Sequence, residues 1–225
     1  SFVTIFSVSK TILVTGSSGF IGFNLSKLLM DNGNNVIGVD SYNNAYDPSF
    51  KRLRQKVLNS KNNFKEFELN LDTKENLESL EKENIDIVFH LAARAGVRQS
   101  FLDPISYIKD NSIATTNIAN FVKDMNIKTL VLASTSSKYG DSSQEEMVES
   151  VNEKIEPPSI YAASKLSGEV FAKNILEGTE SNVVITRFFT VYGPFGRPDM
   201  SVLRFIHWVV EGKQLKLFGN GEQSR

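Results

Sequence analysis

The chain of 225 residues has no cysteine, two histidines, one tryptophan and six prolines. Without cysteine there is neither a disulfide framework nor thiolate chemistry, which fits a reducing compartment; a cytoplasmic location is expected. His90 and His207 stand far apart with no cysteine to join them, so no metal site is expected. Charge of one sign is also lacking: 25 basic and 26 acidic residues leave a net charge of −1. That excludes nucleic-acid binding carried by bulk charge. No apolar run reaches the roughly eighteen residues that cross a bilayer. Ser1–Ser9 is short and lacks the charged start of a signal peptide. What is there, 40% hydrophobic, suffices for one large α/β domain, or that domain and the start of a second.

Short apolar strands alternate with helical patterns. Thr11–Thr15 is a β-branched run, Gly16–Gly22 a glycine-rich turn, Phe23–Met30 a helical pattern, and Asn35–Val39 a second strand ending at Asp40. Strand, glycine turn, helix, strand and acid within about thirty residues is a dinucleotide-binding arrangement. Gly16 makes the tight turn, Gly19 admits a pyrophosphate to backbone N–H groups, and Gly22 lets the helix pack close. Asp40 accepts from ribose hydroxyls and repels a 2′-phosphate, so NAD is expected rather than NADP. Further strands are expected over Phe64–Leu71, Ile85–Leu91, Thr129–Ala133 and Asn182–Thr186, with helices over Asp72–Glu83, Asp110–Lys123 and Ser201–Glu211. The alternation implies a doubly wound parallel sheet. KRLRQK, within Ser49–Leu58, reads as a solvated helix face rather than an anion site. His90 reads as a satisfied strand-end histidine, and His207 and Trp208 as packing residues.

Tyr161-Ala162-Ala163-Ser164-Lys165 follows Pro157-Pro158 and opens a helix through Leu176. Residues four apart share a helix face, so the phenol of Tyr161 and the ammonium of Lys165 lie side by side. A free phenol ionises near pH 10; making it a base at neutrality takes roughly 4 kcal/mol of preferential stabilisation of the phenolate. Lys165 and a cationic cofactor are the expected sources. Tyr-x-x-x-Lys alone recurs by chance on amphipathic helices, and its weight comes from its surroundings. Ser134, Thr135, Ser136 and Ser137 stand at the C-terminal end of a strand, where ligands bind in open parallel sheets, although serine-rich turns are also common. Arg98 is either a diphosphate contact or a surface arginine.

Together TGSSGFIG, HLAA, STSSKYG, YAASK and RFFTVYGP resemble the extended short-chain dehydrogenase/reductase family of nucleotide-sugar epimerases and dehydratases. NNAYDPSFKRLRQ, ARAGVRQS and FFTVYGPFGRPDM are similar to the UDP-glucuronate 4-epimerases. The resemblance implies a Rossmann-type NAD domain over residues 1–187, with the beginning of a smaller substrate-binding domain over 188–225. It implies that Tyr161 is the base, Lys165 its partner on the nicotinamide ribose, and Thr135 the hydroxyl on the sugar's 4-position. The implied NAD site comprises Gly16, Ser18, Gly19, Phe20, Ile21, Gly22, Asp40, Asn70, Leu71, Leu91, Ala92 and Ala93, with Tyr161 and Lys165. Asn111 matches an asparagine beneath the active site. The UDP-sugar is expected to meet Arg98 and Arg225. Its carboxylate is expected to be gripped by Thr135, Ser136, Ser137 and Thr190, with Arg197 shaping the site.

The serines at 136 and 137 separate this chain from relatives. Dehydratases of the family carry Asp-Glu after the threonine, and UDP-glucuronate decarboxylases a Glu. Two hydroxyls accept a substrate carboxylate where a carboxylate side chain repels it. Three departures stand out: Lys138 replaces an apolar residue, Asn70 replaces an Asp near the adenine, and relatives continue past Arg225, so the chain is expected to be incomplete. A homodimer is expected through a four-helix bundle built from Asp110–Lys123 and Tyr161–Leu176, with no membrane contact in the covered span. A 4-epimerase of a neutral UDP-hexose and a non-catalytic NAD-binding module are the competing readings; the second usually loses the tyrosine or the lysine.

Overall fold

The structure, a computed structural model, describes residues 9–139 and 156–215. Residues 1–8, most of the acidic stretch Gln144–Glu156 and the terminal GNGEQSR, with Arg225, lie outside the described residues. Among the described residues, six strands form one parallel sheet: β1 (Thr11–Thr15), β2 (Asn35–Asp40), β3 (Phe64–Glu68), β4 (Ile87–His90), β5 (Thr129–Thr135) and β6 (Asn182–Phe188), in the order β3-β2-β1-β4-β5-β6. The order reverses between β1 and β4, which is where an open α/β sheet opens a crevice for ligands.

Alternation along β1 explains the two cores. Ile12 and Val14 face one side with Phe23, Leu29 and Met30 of α1 (Phe20–Asp31) and Leu58 of α2 (Pro48–Leu58). Leu13 faces the other side with Val88, Leu130 and Leu132. The connections also include α3 (Val97–Leu102) and α4 (Pro104–Tyr107). On the Leu13 side, Ile118 and Val122 of α5 (Ala114–Asp124) and Ala172 and Leu176 of α6 (Ile160–Leu176) close the layer. Both faces are covered, as an all-parallel sheet requires. The helix α7 (Ser201–Val210) follows β6.

Several expected boundaries move, each for a local reason. Asp72–Glu83 is no full α-helix: a 3₁₀ turn, Glu75–Leu80, buries Leu77 and Leu80, and residues three apart eclipse in a 3₁₀ turn. β3 stops at Glu68, paired with Asp40, the last residue of β2. β5 runs two residues beyond Ala133, because Ser134 and Thr135 pair with Arg187 and Phe188 of β6. The helix expected at Asp110 starts earlier, with α4 leading through a π-helical turn, Ile108–Ile113, into α5. That wide turn presents Asn111, whose amide donates to the Arg94 carbonyl at 3.0 Å and to Ser164 Oγ at 2.9 Å, while its oxygen accepts from Arg94 N–H at 2.7 Å. Asn111 thereby fixes the loop after β4 to the helix carrying Tyr161.

Candidate active site

The glycine loop turns because Gly16 takes φ +70°, and a Cβ there would sit 2.9 Å from Ala92 Cα. A Cβ at Gly22 would lie 2.1 Å from the Gly16 carbonyl oxygen, so α1 packs this close only with glycine. Gly19 is the N-cap of α1 and contributes no side chain, leaving the first-turn N–H groups facing the crevice. The loop is thus a cradle of bare backbone that fits a pyrophosphate.

Asp40 ends β2 beside this loop. It accepts from Ser18 N–H at 3.2 Å, Tyr42 N–H at 2.9 Å and the Lys51 ammonium at 3.2 Å. A carboxylate has about four acceptor sites, so Asp40 keeps room for a ribose hydroxyl. Lys51 lines the same crevice and weakens the repulsion on which a preference for NAD over NADP rests. The solvated reading of KRLRQK therefore fails at Lys51 and Arg54, which are 6% and 3% exposed, although Arg52 points outward. Residues 51, 54 and 58 fall at i, i+3 and i+7 behind an Asp47 cap and Pro48, a one-faced pattern legible in the sequence.

A cleft of about 370 Å³ joins this region to the end of β5. Gly16, Gly19, Phe20, Ile21, Gly22, Asp40, Asn70, Leu71, Leu91, Ala92 and Ala93 line it, and so do Thr135, Ser136, Ser137, Tyr161, Lys165, Thr190 and Arg197. Two sequence candidates are elsewhere. Ser18 is buried behind the loop, its hydroxyl bonded to Tyr42 at 2.9 Å, so its side chain does not reach a ligand. Arg98 is exposed on α3 and does not line the cleft. Of the four hydroxyls at 134–137, that of Ser134 turns away to hydrogen-bond Glu169.

Ser159 caps α6, accepting from Ala162 N–H at 3.0 Å, and so sets the start of the helix and the placement of Tyr161. The ring of Tyr161 packs edge-on against Tyr107. Burial pushes its phenol above the ordinary value, opposed by the Thr135 hydroxyl and the charge of Arg197. Lys165 is buried, and burial pulls its ammonium down to about 8, with Glu169 partly opposing. In the chain alone, then, the main effect on the phenol is burial rather than the stabilisation expected from Lys165. Arg197 is held by a two-pronged pair with Asp199, at 3.0 and 2.7 Å.

His90 is fully buried. Thr115 donates to the Asn111 carbonyl and so accepts from Nε2–H at 3.1 Å; in the neutral ring Nδ1 then accepts from the Thr15 hydroxyl at 2.7 Å, while Thr15 Oγ1 also accepts from Ala92 N–H at 3.1 Å. Burial, and then the charge of Lys165, pull its imidazole down to about 3. The unfolded chain takes up a proton near pH 6.5 that the folded chain refuses, so stability present above about 6.5 is lost as pH falls toward 3. We expect a loss of roughly 2 kcal/mol between pH 6.5 and 5. His90→Asn should remove that slope. Urea midpoints across this range test it, and an unchanged slope in the variant would assign the loss to other groups.

A family model for the NAD dependent epimerase/dehydratase family matches residues 12–225. The chain is 41% identical over 218 residues to a UDP-glucuronate 4-epimerase of Thermodesulfobacterium geofontis, covering 95% of this chain and 66% of that protein. A crystal structure of UDP-glucuronic acid 4-epimerase from Bacillus cereus, in complex with UDP-glucuronic acid and NAD, superposes with a TM-score of 0.84 at 33% identity. It covers 95% of this chain and 67% of that one. A UDP-N-acetylglucosamine 4-epimerase from Methanobrevibacter ruminantium, in complex with UDP-N-acetylmuramic acid, reaches a TM-score of 0.84 at 31% identity, covering 96% of this chain and 67% of its own. The chain thus spans about two thirds of the length of these relatives. The match runs from β1 through every strand and the whole cleft, and the chain belongs to the NAD dependent epimerase/dehydratase family.

Proposed function

We propose that the protein containing this chain interconverts UDP-glucuronate and UDP-galacturonate through a 4-keto sugar, with NAD retained between turnovers. The observation that carries the reading is the cleft in which Tyr161, Lys165 and Thr135 meet both the glycine loop and a sugar end lined by Ser136, Ser137, Thr190 and Arg197. Gly16, Gly19 and Gly22 admit the pyrophosphate to the start of α1, and Asp40 with Lys51 holds the adenosine ribose. Bound there in its oxidised form, NAD would supply a hydride acceptor for carbon 4 of the sugar, the same hydride for return to the opposite face of the ketone, and a positive charge beside the phenol.

Tyr161 takes the proton of the 4-hydroxyl, and Thr135, whose hydroxyl meets the phenol, orients that hydroxyl beside it. The charges of Lys165 and Arg197 favour the phenolate that burial opposes. The keto sugar rotates, and Tyr161 returns its proton once the opposite face is presented. A 4-keto glucuronate is a β-keto acid and loses CO₂ unless its carboxylate is held in polar surroundings. Ser136, Ser137 and Thr190 provide neutral donors, and Arg197 a cation. Residues 1–187 then serve as the cofactor domain and 188–225 as the start of the substrate region. Val170 and Phe171, exposed on α6, fit a homodimer packed through α5 and α6.

The test is to incubate the full-length protein with UDP-glucuronate and follow the sugars by proton NMR. UDP-galacturonate without turnover of external NADH is expected. UDP-xylose or a 4-keto pentose would overturn the carboxylate cradle, and interconversion of UDP-glucose with UDP-galactose alone would favour the neutral-hexose reading. In Ser136→Ala/Ser137→Ala, each lost hydroxyl removes about 1 kcal/mol of carboxylate binding, so KM for UDP-glucuronate should rise about thirtyfold, or pentose by-product should appear. No change in either would sink the cradle.

A further inference from the structure

Arg54 is a buried guanidinium whose hydrogen bonds among the described residues go to neutral oxygens. One terminal nitrogen donates to the Ser18 carbonyl at 3.1 Å and the Tyr46 hydroxyl at 2.7 Å. The other donates to the carbonyls of Phe195 and Gly196, both at 2.9 Å. Burying a charge is costly, and a position that keeps one there uses what only a charged planar fork supplies: several strong donors in fixed directions. The backbone segments it joins are remote in sequence, Ser18 lying 36 residues before Arg54 and Phe195 and Gly196 lying 141 and 142 residues after it. Ser18 immediately precedes Gly19, the N-cap of α1, and Gly196 immediately precedes Arg197.

A second route runs through Tyr46. Its hydroxyl is held by Arg54, and the Arg197 guanidinium lies 5.2 Å from its ring centroid. The segment bearing Arg197 is fastened further along as well. Phe195, at φ 61°, packs on Phe23 of α1 with centroids 4.7 Å apart, and Asn24 donates to the Pro194 carbonyl at 3.2 Å. A non-glycine residue in the left-handed region persists only where its surroundings hold it, and here the Arg54 bond falls on that residue's own carbonyl.

We propose that Arg54 is a positioning residue that ties the segment carrying Arg197 to the glycine loop, so that seating a dinucleotide pyrophosphate and placing Arg197 toward the sugar are one coupled event. The inference rests on the proposed reading of those two ligands. Arg54 fixes the Ser18–Gly19 peptide plane on one side and the Phe195–Arg197 backbone on the other. An anion that orders the loop therefore orders the arm, and an arm held by its own ligand favours the loop's bound form by the same factor.

Hydrogen exchange of the full-length protein, with and without NAD, tests this without any sugar turnover. In the wild type, NAD should slow exchange across 193–197 by on the order of tenfold. R54K keeps the charge and loses the fork; it should still bind NAD but lose that remote protection. Tyr46→Phe, which removes only the hydroxyl that Arg54 holds, should show a weaker form of the same loss and stands in if R54K does not fold. With the sugar nucleotide that the wild type turns over, R54K should raise KM by about tenfold or more, and R197K should add little to it because both disturb one unit. Equal protection by NAD in wild type and variants, its absence in the wild type, or losses that multiply in R54K/R197K would overturn the coupling and leave Arg54 a brace for α2. A wild type that protects 193–197 on binding NAD yet does not convert UDP-glucuronate would refute the proposed reaction alone.

Discussion

Tyr161→Phe is expected to lower kcat by about 10³-fold, within the range of roughly 10²–10⁴ that a positioned acid–base group contributes. That corresponds to roughly 4 kcal/mol of transition-state stabilisation. The substitution is conservative in shape. The ring keeps its edge contact with Tyr107, and Ser159 still caps the helix. Only the oxygen facing Thr135 is lost, so KM and NAD binding should change little. The pH profile separates a chemical role from a packing role. Burial raises the phenol, so the phenolate fraction and kcat should climb with pH between about 6 and 9, and the variant's residual rate should be flat there. Lys165→Met should move the wild-type limb to higher pH, since it removes a cation that favours the phenolate. Steady-state rates by NMR or chromatography across that range give both readings. A variant within about tenfold of the wild type would remove Tyr161 from the proton transfer.

The parts of this site legible in the sequence are those where backbone geometry leaves little choice. A left-handed turn at 16, a close approach at 22 and an acid at the end of the next strand have one common use, and the parallel sheet follows from the alternation around them. Tyr161 and Lys165 are readable because the pitch of a helix is fixed. Charge is harder to read. Lys51 and Arg54 pass as solvated because basic runs usually are, and what covers Arg54 includes a segment 141 and 142 residues away with which no local pattern connects it. The hydroxyls at 134–137 are readable as a group but not individually. Because β5 extends to Thr135, successive side chains alternate, and although Ser134 and Thr135 both border the cleft, the Ser134 hydroxyl is spent on Glu169.

Glu169 is where the largest loss of stability is expected. Its side chain is 4% exposed and accepts a two-pronged contact from Arg187, at 3.1 and 2.8 Å, together with the Ser134 hydroxyl. Burial opposes its ionisation, yet hydrogen bonds from Arg187 and Ser134, with the charges of Arg187 and Lys138, hold its carboxyl below the usual range. Lys138 is itself 8% exposed. One carboxylate thus acts on Arg187 and Lys138 between α6, β6 and the turn after β5, and also on Lys165 one turn earlier in α6. Glu169→Met should cost about 3–5 kcal/mol, because the cations stay behind without their anion. At roughly 2–4 °C per kcal/mol, the thermal midpoint should fall by about 10 °C. Glu169→Met/Arg187→Met should recover part of the loss, since a packed apolar pair replaces a buried ionic one at little net cost. The order of the midpoints, wild type above the double variant and the double above the single, is the test. If the single variant loses less than about 1 kcal/mol, or the double is the less stable of the two, the carboxylate is not what holds β5 and β6 to α6, and the placement of Thr135 at the cleft must be set by the strand pairing alone.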